Sequence, residues 1–161
     1  MATFVIPYRV GGKTRLGDAD LARAMLADVQ EAAGEAVVVD GPGGQGAALA
    51  AALADLRGPV TILNSDLPCV SPSEIEQLTA AAPAIVAAPD GTTNALALRD
   101  ADDFQPLYGA GSAARFEESL AATRLHLPGL RDDVDTWDDL ERLCDRVGRH
   151  TRAYLATLAP A

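Results

Sequence analysis

The residues best suited to chemistry are acids and bases placed at the ends of apolar runs. Asp66 closes the stretch "TILNSD" with Pro68 just behind it. A carboxylate in such a place suits Mg²⁺, which takes one or two carboxylates together with phosphate oxygens and water. It also suits a simple turn cap. Further on, "RDDVDTWDDL" carries Asp132, Asp133, Asp135, Asp138 and Asp139. Asp138 and Asp139 fall in a first helical turn, where the helix dipole already favours acids. Asp133 and Asp135 precede that turn, and residues two apart in an extended segment point to one side. They are placed either to share one cation or to form a solvated acidic loop. Opposite in sign are Arg9, Lys13 and Arg15 in "IPYRVGGKTRL". "GTTN" and "YGAGS" add Thr93 and Ser112 hydroxyls beside Gly109 and Gly111. Such groups hold phosphates, Ser112 at a predicted helix start, and they also make ordinary turns.

The N-terminal stretch looks at first like half of a P-loop. Gly12-Lys13-Thr14 supplies the second half, but the first glycine of that motif would fall on Pro7. Proline has no amide hydrogen to give a phosphate. What remains is a basic, glycine-containing loop between a strand and a helix. His126 and His150 stand apart from the other candidates and read as satisfied or surface residues. Tyr108 and Trp137 read as packing residues.

The elements that must position these groups alternate. Strands are predicted at 2–6, 36–39, 59–63, 84–88 and 94–98, with a short one in "RLHL". Helices are predicted at 20–33, 47–56, 71–81 and 112–122, from Thr136 through Leu143, and on towards 158. Ser71, Pro72 and Glu74 form a capping box, as do Thr136 and Asp139, and Ser112 is expected to cap its helix. Strands alternating with helices predict an α/β fold: a mostly parallel sheet flanked by helices. In such sheets ligands bind beyond the carboxyl ends of the strands, where the candidate loops collect.

At 161 residues the chain is expected to form one domain, residues 1–161. No apolar run approaches the roughly 18 residues of a membrane span. No basic segment followed by an apolar stretch marks the N-terminus for export, so a cytoplasmic location is expected. Cys69 and Cys144 are too few and too far apart for a zinc or disulfide framework. The net charge of −10 argues against nucleic acid or anionic membrane as a partner. Phosphates must then be met by a local basic cluster or a divalent cation.

Taken in order, "IPYRVGGKTRL", "NSDLP", "GTTNAL", "LYGAGSAARF" and "LPGLRDDVDTWDDL" resemble the 2-phospho-L-lactate or phosphoenolpyruvate guanylyltransferases of coenzyme F-420 biosynthesis. The resemblance spans nearly the whole chain, to about residue 143. It implies a Rossmann-like nucleotidyltransferase (GT-A-like) fold and transfer of GMP from GTP to the phosphate of phosphoenolpyruvate or 2-phospho-L-lactate, with pyrophosphate released. It implies Mg²⁺ held by Asp66, Asp133 and Asp135. Lys13 and Arg15 would act with Asp66 in catalysis. Arg9, Gly12 and Gly44 join Lys13 and Arg15 as the implied nucleotide contacts. Thr93, Gly109 and Ser112 are the implied contacts to the acceptor's phosphate.

The sequence departs from the family pattern in three places. Arg9 stands where a lysine is usual, and Gly44-Gln45-Gly46 where Gly-Leu-Asn is usual. One strand, 36–39, occupies the N-terminal half where a further helix and strand are usual, so that half is expected to be shortened. Two other readings stay open: a nucleotidyltransferase for a molybdopterin- or sugar-phosphate-type acceptor, and a non-catalytic phosphate- or nucleotide-binding homologue.

Overall fold

The computed structural model describes residues 1–9, 16–41 and 43–158. Gly12, Lys13 and Arg15 lie outside the described residues. Six strands form one sheet: β1 (Thr3–Pro7), β2 (Ala36–Val39), β3 (Val60–Leu63), β4 (Ala84–Ala87), β5 (Thr93–Leu98) and β6 (Thr123–Arg124), in the order β2-β1-β3-β5-β4-β6. β1 pairs parallel with β2 and β3, and β4 parallel with β6. β5 runs antiparallel to both of its neighbours. The Ala88–Thr92 connection is too short for a parallel crossover, which needs about a dozen residues. It is instead a hairpin turned by Asp90 and Gly91, the latter at φ +85. The reversal brings the start of β5, rather than its end, to the carboxyl edge of the other strands.

The central strands are buried on both faces, which explains their nearly continuous apolar runs. Ile6, Leu63, Val86 and Ala95 face one core, while Val5, Ile62, Ile85 and Leu96 face the other. β2 is an edge strand, with Val37 and Val38 exposed. Glu35 and Asp40 flank it with charge, a common protection for an open edge.

The helices are α1 (Ala19–Ala33), α2 (Gln45–Leu53), α3 (Pro72–Ala80), α4 (Ser112–Leu120), α5 (Pro128–Arg131), α6 (Trp137–Leu143) and α7 (Arg149–Leu158). Asp18 starts α1 by accepting the Leu21 N–H at 2.9 Å. Both predicted capping boxes form, at α3 and α6. Ser112 corrects the third cap. Gly111, left-handed at φ +72, is the N-cap of α4, and Ser112 is the first helical residue. α7 is capped from afar: buried Asp28 of α1 accepts the N–H groups of His150 and Thr151 at 2.9 and 3.0 Å. His150 also lies 3.5 Å from Glu31, so this acidic cluster is explained by helix docking.

Two elements differ from expectation. The last strand covers only Thr123–Arg124, and α5 follows where no helix was predicted. Pro128 supplies its first turn, and Gly129 lets it dock. The Gly129 N–H donates to Glu74 at 2.7 Å, and a Cβ there would lie 2.6 Å from the Cys69 carbonyl oxygen. Trp137 is 42% exposed rather than packed, whereas Tyr108 packs edge-on against Phe116 at 5.2 Å.

Candidate active site

Beyond the carboxyl ends of β1, β2 and β3 lies a cavity of about 360 Å³. β1 delivers Tyr8 and Arg9 to its wall, β2 delivers Asp40 and Gly41, and β3 delivers Asn64, Ser65 and Asp66. The reversed β5 contributes Asn94 from its first turn of chain, with Thr92 just before it. α2 enters through Gly44 and Gln45. Gly44 is at φ +89, a backbone conformation that disfavours any side chain.

Asp66, Asp133 and Asp135 converge at the β3–β5 side. Each places a carboxylate oxygen so that the three atoms lie within 4.8 Å of one another. Asp66 is only 7% exposed. Its main-chain carbonyl accepts the Val134 N–H at 3.0 Å, tying the 132–135 loop to the end of β3. Burial pushes the Asp133 carboxyl up to about 7, and the negative charges of Asp66 and Asp135 add to the rise; the Asn94 hydrogen bond works against it. Three acids held this close repel one another above that pH. A hard cation would relieve that repulsion, and an all-oxygen donor set has the chemistry that suits Mg²⁺. The sequence-predicted metal ligands are therefore brought together.

A polar framework fixes this arrangement. Buried Asn94 donates to the Arg131 carbonyl at 2.8 Å and to Asp133 Oδ1 at 3.3 Å. Asn64 donates to the Thr93 carbonyl at 3.0 Å and accepts from Gln45 at 2.7 Å. Asp132, next to the acids, takes no part in the cavity. It is buried between Arg131 and Arg146, at 2.9 and 2.7 Å. Burial opposes its charge, but the two guanidiniums prevail and hold its carboxyl below the usual range. Asp139 is likewise occupied, accepting the N–H groups of Asp135 and Thr136 at 2.9 and 3.0 Å.

The remaining predicted residues divide. Arg9 and Gly44 line the cavity. The Thr93 and Ser112 hydroxyls do not reach it: they bond each other at 2.7 Å in the core. Thr92 does line the cavity, as Tyr8 and Ser65 do, and Asp90 accepts from its N–H and hydroxyl. Gly109 sits on the exposed turn before α4, whose carbonyls at Leu107 and Ala110 accept from Arg115. Sequence reasoning missed Asp40, Asn64, Gln45 and Asn94. Asn64 and Asn94 had a readable signal, an amide side chain at the cavity end of a strand.

Among curated proteins, the sequence is 40% identical to the phosphoenolpyruvate guanylyltransferase of Nocardia farcinica, over 85% of this chain and 64% of that one. It is 39% identical to that of Streptomyces coelicolor, over 79% of this chain and 66% of that one. The chain is a homologue of the phosphoenolpyruvate guanylyltransferases. It spans about two thirds of the length of these two guanylyltransferases, and 48% of a third, from Sphaerobacter thermophilus, at 42% identity. No protein-family model matches the chain. The fold is shared with solved structures of low sequence identity. A protein described as a nucleotide-diphospho-sugar transferase from Desulfovibrio desulfuricans superposes with a TM-score of 0.70, covering 97% of this chain and 94% of that one at 19% identity. A Thermus thermophilus protein described as a transferase gives 0.55, covering 87% of this chain and all of that one at 18% identity. Among the described residues, no helix is long and apolar enough to cross a membrane.

Proposed function

We propose that this homologue transfers GMP from GTP to the phosphate of phosphoenolpyruvate, releasing pyrophosphate; 2-phospho-L-lactate is the alternative acceptor, and coenzyme F-420 biosynthesis the setting. The observation that carries this reading is the convergence of Asp66, Asp133 and Asp135 in one cavity with the end of β1. An oxygen of the acceptor's phosphate attacks the α-phosphorus of GTP. The bond from that phosphorus to the bridging oxygen breaks, and its electron pair leaves with pyrophosphate. The attacking phosphate is already ionised, so the chain need supply neither a nucleophile nor a base. Its task is to hold two anions in line and to offset their charge.

The residues divide that task by position. Asp66, Asp133 and Asp135 would hold Mg²⁺, which when bound withdraws charge from phosphate oxygens. Arg9, with Lys13 and Arg15 of the same loop, faces the nucleotide phosphates, and Gly44 leaves room beside α2. Thr93, Gly109 and Ser112 belong to the acceptor end. The hydroxyl pair lies behind the wall there, so it fixes the shape of that end, and the phosphate is met by main-chain groups.

Pyrophosphate release by the full chain with GTP and Mg²⁺ tests the reading, run against phosphoenolpyruvate, 2-phospho-L-lactate, a sugar 1-phosphate and no acceptor. Release that depends on one of the three-carbon acids is expected. Release with the sugar phosphate alone, or with none of them, contradicts it.

A further inference from the structure

Asp40 is a cavity acid that the metal cluster does not use. It follows β2, is exposed, and lines the cavity with Gly41 and Ala48. β2 and β3 lie on either side of β1, so the chain ends carrying Asp40 and Asp66 are two strand spacings apart, about 10 Å. That is the order of distance from the base of a nucleotide to its α-phosphate. The phosphates' end is fixed by the acid cluster and by Arg9 at the centre, which leaves the β2 end for the base. Val39 and Ala48 line the cavity there. A Cβ on Gly41 would lie 3.3 Å from that of Ala48, so the Asp40 turn sits directly on α2. The Gly41 N–H donates to Asp40 Oδ1 at 2.8 Å and sets the carboxylate's direction. Oδ1 keeps a second lone pair for a ligand, and Oδ2 adds its own.

Resting on the guanylyltransferase reading, we infer that Asp40 selects the base by accepting the N1–H and exocyclic 2-amino hydrogens of guanine. The same carboxylate rejects adenine, whose N1 is an acceptor, and xanthine, whose C2 carries an oxygen. Asp90, the other acid on the cavity wall outside the cluster, is unsuited. Its Oδ1 is tied to the Thr92 N–H and hydroxyl at 3.0 and 2.6 Å, on the β4–β5 turn at the opposite side.

The donor pattern makes a sharp experiment. Asp40→Asn keeps an oxygen for Gly41 and N1–H but turns the second acceptor into a donor, which matches xanthine and clashes with guanine. Titration calorimetry of the full chain with GTP, ITP, XTP and ATP in Mg²⁺ reads the result, with melting curves to confirm folding. Wild type is expected to prefer GTP over ITP and XTP. Asp40→Asn should lose at least tenfold for GTP and gain at least tenfold for XTP. Asp40→Ala, which keeps no acceptor, should bind GTP and ITP equally. Equal wild-type affinity for GTP and ITP, or a parallel loss for all four nucleotides in Asp40→Asn, overturns the inference. Guanine selection through Asp40 without GMP transfer would sink only the guanylyltransferase reading. Transfer with unchanged GTP preference in Asp40→Asn would sink only the role of Asp40.

Discussion

Asp133→Asn should stabilise the metal-free protein while abolishing its response to Mg²⁺. In the folded chain the Asp133 carboxyl keeps its proton up to about pH 7 instead of 3.8, because of burial and the charges of Asp66 and Asp135. Folding therefore gains nothing from this group below pH 4. It is increasingly opposed as the pH rises from about 4 to 7, and bears the full penalty above that. The displacement corresponds to at most about 4 kcal/mol at pH 8. Asparagine removes the charge but keeps a buried polar group, so about half of that, roughly 2 kcal/mol, should return. For a chain of this size that raises the melting temperature by about 4–8 °C. Mg²⁺ acts in the opposite sense: at a hundred times its dissociation constant it should stabilise wild type by about 2.7 kcal/mol. Asp133→Asn should show almost none of this. Calorimetric melting at pH 5 and pH 8, in EDTA and in Mg²⁺, gives all four values for each protein. The two proteins should converge at pH 5 in EDTA. A variant that melts below wild type at pH 8 in EDTA, yet still responds to Mg²⁺, would refute the reasoning.

Two further substitutions probe the support of the site. Thr93→Val strands the Ser112 hydroxyl in the core and should cost about 1–3 kcal/mol, whereas Thr93→Val with Ser112→Ala should recover part of that. An additive double mutant by denaturant melting would show that the 2.7 Å contact carries no coupling. Gly129→Ala forces a methyl against Glu74 and the Cys69 carbonyl, so about 1–3 kcal/mol should be lost. Because α5 leads directly into Asp133, calorimetric Mg²⁺ affinity should fall as well; unchanged affinity would separate the α5 contact from the acid cluster.

Much of the fold was legible because its causes are local. Capping boxes at Ser71 and Thr136 need only residues three apart, and apolar runs such as Val60–Leu63 announce buried strands. The meeting of Asp66 with Asp133 and Asp135 was implied by the family resemblance; the strand-end position of Asp66 pointed to the cavity edge, whereas the 132–135 segment follows α5. Contacts that depend on distant pairing were not legible. Nothing near Asp28 says that it caps a helix more than a hundred residues later. Ser112 looked like a cap because serine favours that place, but Gly111 takes the left-handed position more cheaply, and the hydroxyl turns to Thr93. Asn94 gained its role only because the hairpin reverses β5 and sets its first residues against the 131–133 loop.

We propose that the three carboxylates and Arg9 at the end of β1 serve one transfer of GMP. Incubation of the full chain with α-labelled GTP, Mg²⁺ and phosphoenolpyruvate tests it most directly, with Asp66→Asn in parallel. Wild type is expected to move the label into a product that also contains the phosphoenolpyruvate carbons, with one pyrophosphate released per label. Asp66→Asn, shown by its melting curve to be folded, should form none. Label that stays in GTP, or transfer by Asp66→Asn at the wild-type rate, would rule out this role for the cluster.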